Sequence, residues 1–324
     1  MDALADIALH GLGVEMSLLI FIAAIWAGAI NTVVGSGTLV TFPVLVAMGV
    51  PPVSATVSNA MGLIAGNFTG AWGYRREIRQ VKSVLVKLIP ASILGGVIGA
   101  ALLISLPEEV FGRVAPILIV VSLVFVLAQP KLSAWVRARA ARRDEASGPG
   151  VIEGSDVSES TDASERADVS ESTDVSGNTD RDEPSKAKKS PSMPTVSLVL
   201  MLLVFAAGIY GGYFVAAQGI LLMGILGIFL MANIQQANGV KNLLVAVVNL
   251  TAAISYVLVD YLLREPDERV ILWGVVAIIA VGSTLGGLIG AWVGRRLSPL
   301  VLRGIIVTLG LVALFVMLRN LFMA

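Results

Sequence analysis

The chain has 324 residues, of which 56% are hydrophobic and only 14% charged, and its mean hydropathy is +0.84. A soluble domain of that make-up would expose large apolar patches, which excludes a water-soluble enzyme or binding module. There is no cysteine and a single histidine, His10, so no disulfide framework, thiol nucleophile or histidine-based metal cluster is expected.

In chain order, the first residues carry Asp2, Asp6 and Glu15 instead of a basic stretch, so the first apolar segment is expected to be retained and not cleaved as a leader. A bilayer-spanning helix needs about 20 mostly apolar residues. Hydrophobic segments run approximately 17–34, 36–49, 52–73, 84–104 and 112–128, and then, after a polar gap, 196–217, 219–231, 236–259, 270–293 and 299–318. The second segment of each set is short and glycine-rich at its start. The predicted organisation is a first membrane repeat over 1–129, a linker over 130–195 and a second membrane repeat over 196–324.

The zero net charge hides a strong asymmetry. Residues 144–183 hold 13 acids and two bases, which leaves 10 acids and 21 bases for the rest of the chain. The linker is rich in Ser, Thr, Asp and Glu and poor in aromatics, so it cannot bury enough apolar surface to order itself. It contains a short duplication, DVSESTD at 156–162 and 168–174. A solvated tether is favoured over a regulatory or partner-binding tail.

The two sets of segments resemble each other in order. LGGVIGA (94–100) returns as LGGLIGA (285–291), WAGAI (26–30) parallels AAGIY (206–210), VSN (57–59) parallels VKN (240–242), and Arg113 matches Arg303. Short-loop Lys and Arg residues mark the cytoplasmic side. The loop after the third segment carries Arg75, Arg76, Arg79 and Lys82, whereas its counterpart, 260–269, has four acids against two bases. The loop after the fourth segment, LPEE (106–109), is acidic, whereas its counterpart, GRRLSP (294–299), is basic. Ten crossings satisfy these biases with both termini outside and the linker in the cytoplasm. Five crossings per half is odd, so the second half enters from the opposite side. The predicted fold is therefore an all-α integral membrane protein of about ten transmembrane segments in two inverted five-segment repeats, each with a short or broken second helix, a pattern typical of transporters.

Three groups of residues could carry chemistry. Asn31 and Thr32 are polar within an apolar run, and Gly35, Ser36 and Gly37 break the helix where a half-helix starts near Thr38. Such a start presents free backbone N–H groups and partial positive charge to an anion; a packing interface of small residues is the other reading. In the second half, Gln218 and Gly219 are matched with Ser36 and Gly37, and Tyr210 and Tyr213 could reach the site or simply pack. The third group is Ser58–Asn59 with Lys241–Asn242, followed by Asn67 and Asn249. Within the ten segments the charged residues are Lys87, Arg113, Lys241 and Arg303, and no acid is present. Lys241 is the deepest of them: an anion ligand or a snorkelling side chain.

The stretch AGAINTVVGSGTLVTFPVLVAMGVPPVSATVSNAMG (27–62) resembles the first-half signature of the TauE/SafE sulfite-exporter family of permeases. The residues that carry the resemblance are Ala27, Gly28, Ile30, Asn31, Gly35, Gly37, Leu39, Pro43, Leu45, Gly49, Pro51, Pro52, Ala55 and Asn59. GIYGGYF (208–214), Ala237 and KN (241–242) resemble its repeat. The resemblance implies transport of sulfur-containing or related small anions, such as sulfite or organosulfonates. The expected protein is a secondary transporter or facilitator of such anions in the plasma (inner) membrane, exporting them. Its partners would be a small anionic substrate and the lipid bilayer, with no nucleic acid, no cofactor and no metal. An intramembrane enzyme has no general base to use. A non-transporting scaffold or sensor acting through the acidic linker is the alternative.

Overall fold

A computed structural model describes residues 13–146, 196–229, 234–293 and 299–323. No strand occurs among the described residues. The helices are α1 (Val14–Val33), α2 (Thr38–Ala47), α3 (Pro52–Gly73), α4 (Arg75–Gln80), α5 (Lys82–Ser105) and α6 (Glu108–Ala146), then α7 (Leu198–Phe214), α8 (Gln218–Phe229), α9 (Ile234–Leu262), α10 (Trp273–Val293) and α11 (Pro299–Met323). Each of the ten hydrophobic segments falls on one of these helices, and α4 is an extra short basic helix in the loop after the third.

Among the described residues, five stretches are long and apolar enough to cross a membrane: α1, α5, residues Glu109–Ala128 of α6, Gln235–Leu262 of α9 and Trp273–Trp292 of α10. Large apolar side chains are exposed along α5 (Leu94, Ile98, Leu102) and α10 (Leu285, Ile289, Trp292), as lipid-facing surfaces require. The protein is a multi-pass membrane protein. By contrast α2, with 10 residues, and α8, with 12, are only about 15 Å and 18 Å long, roughly half the hydrocarbon thickness.

α6 differs from the expected boundary. It continues through Ala146, past the expected linker start at 130. The reason is local: AWVRARAARR (134–143) is built from Ala and Arg, which are strong helix formers. The rest of the linker, 147–195, lies outside the described residues, as does most of GRRLSP.

The helices pack across the two halves. α10 lies against α1 and α3, and α5 lies against α7 and α9. These seams are made of small residues, which lets backbones approach closely. On α1, Phe21 and Ala24 face Gly282, Ile25 faces Gly286 and Ala29 faces Gly290, so α1 and α10 are parallel. Gly62, Gly66 and Gly73 of α3 meet Ile279, Ser283 and Ala291 in the same sense. On α5, Gly95 meets Phe205 and Gly208, and Gly99 meets Ile209 and Gly212, so α5 and α7 are parallel too. α3 and α9 run in opposite senses: Gly70 stands beside Asn242, and Tyr74 just beyond α3 stands against Gly239.

Candidate functional site: two interrupted helices that cross

α1 stops at Val33 and α2 starts at Thr38, and between them Gly35 adopts φ 88°. That left-handed conformation is open to glycine at no steric cost. The turn folds Gly37 back onto Ala27 and Asn31 of α1. α7 stops at Phe214 and α8 starts at Gln218, without a glycine to make the turn. Instead Val215 (φ 63°) and Ala217 (φ 60°) take positive φ, and Ala216 N–H donates to the carbonyl of Phe214 at 2.6 Å. This is a γ-turn centred on a β-branched residue, a strained geometry. The helix starts equate Gln218 with Thr38, and Ala217 with Gly37. The expected match of Gln218 and Gly219 to Ser36 and Gly37 is therefore offset by two residues.

The two interruptions touch. A Cβ on Gly35 would lie 2.7 Å from the backbone of Gly219, and one on Gly219 would lie 2.5 Å from Gly35. Only two glycines allow this crossing.

The first interruption is tied down by side chains. Asn31 Nδ2 donates to Asn67 Oδ1, and Asn31 Oδ1 accepts from Gly37 N–H at 3.2 Å. Asn59 Nδ2 donates to Thr38 Oγ1 at 3.1 Å and Asn59 Oδ1 accepts from Thr41 Oγ1, which pins α2 to α3. Lys241 is only 1% exposed and does not snorkel. Its Nζ donates to the carbonyls of Asn31 (3.3 Å) and Thr32 (3.2 Å), and Asn242 Nδ2 also donates to Thr32 at 3.3 Å. The last carbonyls of a helix have no partner within it and form its negative pole. A lysine and an amide from the other half complete that end.

At the second interruption, Gln218 is 0% exposed and its amide lies over Gly211 of α7. Neither Oε1 nor Nε2 has a hydrogen-bond partner among the described residues, and the same holds for both amide atoms of Asn249 and for Ser36 Oγ.

Not every expected site residue gathers here. Ser58 Oγ accepts from Leu272 N–H at 3.0 Å, which anchors the start of α10. Tyr210 bonds Ser122 at 2.8 Å, and Tyr213 packs edge-on to Phe111 at 5.7 Å. Two further residues matter. Tyr256 donates to Gly212 O at 2.7 Å near the end of α7, although its sequence context reads as a packing aromatic. Asp260 lies one residue beyond the expected segment 236–259, within α9, and is buried; its carboxylate accepts from the N–H groups of Val270 (2.9 Å) and Ile271 (3.3 Å). Neighbouring acids in 260–269 disguise it as a loop charge. No group of three or more metal-ligating side chains occurs among the described residues.

The chain is 28% identical over 121 residues to the "Probable membrane transporter protein YfcA" of Escherichia coli (strain K12), covering 37% of this chain and 45% of that protein. It is 26% identical over 125 residues to a "Probable membrane transporter protein" of Haemophilus influenzae (37% and 48%). It is 25% identical over 127 residues to the "Probable membrane transporter protein ORF9" of Sinorhizobium sp (39% and 47%). The chain thus spans about half the length of the curated relatives it matches. No solved structure matches it. The family profile described as Sulfite exporter TauE/SafE matches residues 20–317, nearly the whole chain, and the protein therefore belongs to the TauE/SafE sulfite exporter family.

Proposed function

We propose that the protein carries small sulfur-containing anions, sulfite or an organosulfonate, outward across the plasma (inner) membrane, with its site where the two interrupted helices cross. The observation that carries this reading is the backbone contact of Gly35 with Gly219, since irregular backbone at membrane depth is tolerated only when buried in protein or lining a path. Interrupted helices at the interface of two repeats are where transporters bind their cargo.

We read the helices as ten segments in two inverted repeats, a layout that would set the crossing at the repeat interface. The parallel senses of α1, α3 and α10, the parallel senses of α5 and α7, and the reversal between α3 and α9 suit two five-segment units entering from opposite sides. The exposed bases Arg75, Arg76, Arg79 and Lys82 then face the cytoplasm with the linker, and the acidic 260–269 loop faces outward. Lys241 falls on the cytoplasmic side of the crossing. An inside-negative potential drives an anion outward with about 2.3 kcal/mol per charge per 100 mV, so export needs no coupling ion. Asp260 is committed to backbone N–H groups at the end of α9 and lies off this path.

The test is flux of sulfite, sulfate and organosulfonates from vesicles reconstituted with the full chain. Sulfite efflux that follows the membrane potential supports the reading; no flux of any of these anions overturns it.

A further inference from the structure

We infer that the cargo binds against the second interruption, at Gln218, Asn249 and Ser36, as an oxyanion that still carries a proton. This rests on the transport reading and narrows its substrate class.

Gln218 and Asn249 are each 0% exposed, and both ends of both carboxamides lack a partner among the described residues. At the first interruption the amide of Asn31 is bonded at both ends. Asn249 is linked to the surroundings of Gln218 through its chain neighbour Val248. Gln218 covers Gly211, while Val248 packs on Gly96, which abuts Gly212. Tyr256, two turns further along the same face of α9, reaches Gly212 O. Ser36, in the turn beside Gly35, lies where that turn meets the first turn of α8, and its Oγ is likewise unpartnered among the described residues. The N-terminus of α8 adds a favourable potential for negative charge.

The donor and acceptor inventory sets the chemistry. A carboxamide offers N–H donors at one end and a carbonyl acceptor at the other. A fully ionised oxyanion has acceptors only; it satisfies the two NH2 groups and leaves two carbonyls facing negative charge. Flipping either amide exchanges the ends without changing the set. If the two amides bond to each other, one donor and one acceptor are still left over. A ligand that meets both must present an O–H as well as oxygens. Among sulfur oxyanions that is a monoprotonated species such as hydrogen sulfite. The proton then travels on the cargo, so no buried carboxylate is needed to move it.

The experiment uses the full chain in vesicles with sulfite, sulfate and methanesulfonate as probes, and thermal melting in detergent with the same anions. At fixed total sulfite, flux and stabilisation should fall about tenfold for each pH unit above the ionisation of hydrogen sulfite. Sulfate and methanesulfonate, which lack the O–H, should move at least about tenfold more slowly. Gln218→Leu and Asn249→Leu should each lower sulfite flux about tenfold or more with melting retained. Flux that holds or rises with pH, methanesulfonate carried as well as sulfite, or full flux in both leucine variants overturns the inference while leaving transport intact. Should the variants melt early, the pH profile and the methanesulfonate comparison on the unmodified protein decide. A protein that moves none of the three anions overturns the transport reading itself.

Discussion

At the first interruption the chain turns on Gly35, and side chains take up the loose backbone groups: Asn31 caps Gly37, and Lys241 and Asn242 close the end of α1. At the second, the turn is forced through Val215 and Ala217, and Gln218 and Asn249 are left unpartnered among the described residues. The two halves of the chain thus finish their breaks in different ways. The first is the more fully bonded, with Ser36 Oγ and Asn67 Nδ2 left over among the described residues; the second holds strain and two whole carboxamides of unspent hydrogen-bonding capacity, which is where function is expected to be stored.

The largest test of this contrast attacks what the breaks share. Gly35→Val and Gly219→Val each drive a side chain into the opposing backbone, and Gly35 also has the wrong φ for valine. A loss on the order of 4 kcal/mol is expected, read as the disappearance of monodisperse protein on size exclusion. Lys241→Met leaves the Asn31 carbonyl without its partner while Thr32 keeps Asn242, and about 2 kcal/mol should be lost in thermal melting; an unchanged melting temperature would break the assignment of Lys241 to that helix end.

The third pair of variants bears directly on the comparison. Asn31→Leu should cost about 2 kcal/mol, because it strands Gly37 N–H and Asn67. Gln218→Leu should cost nothing or stabilise slightly, because it removes an amide that the protein leaves unpaired. Equal losses would erase the distinction between the two breaks. Val215→Gly should relieve the γ-turn and raise stability by about 1 kcal/mol after glycine's own entropic cost. Deleting 144–183 is the smallest perturbation: sulfite flux and melting should both stay unchanged if the acidic segment is a tether, and lost flux would assign it a part in transport.

Much of the helical layout was legible because its signals are strong. Long uncharged runs mark the helices, and Gly35–Ser36–Gly37 marks the first break in a helix that polar Asn31 and Thr32 already single out. The second break was harder to read in its detail, since Val-Ala-Ala carries no preference for positive φ and the turn is imposed by the surrounding packing. The roles of Tyr256 and Asp260 were hidden for another reason. An aromatic within an apolar helix reads as packing, and an acid beside other acids reads as loop. Only the approach of α7 and of the start of α10 reveals what they bond. The partners of Lys241 were equally out of reach, because they are backbone carbonyls some 200 positions away in the chain.

The exchange of α5 and α10 between the halves has a mechanical consequence. Each half's penultimate long helix is seated on its sibling: α10 beside α1 and α3, α5 beside α7 and α9. A fragment ending at the linker would expose an unfilled groove and offer a helix with nowhere to dock, whereas two fragments expressed together can complete each other. The packed units are therefore of mixed parentage, α1–α3–α10 and α5–α7–α9, and they meet where α3 lies against α9. Gly35 and Gly219 bring the two interruptions into backbone contact between these units.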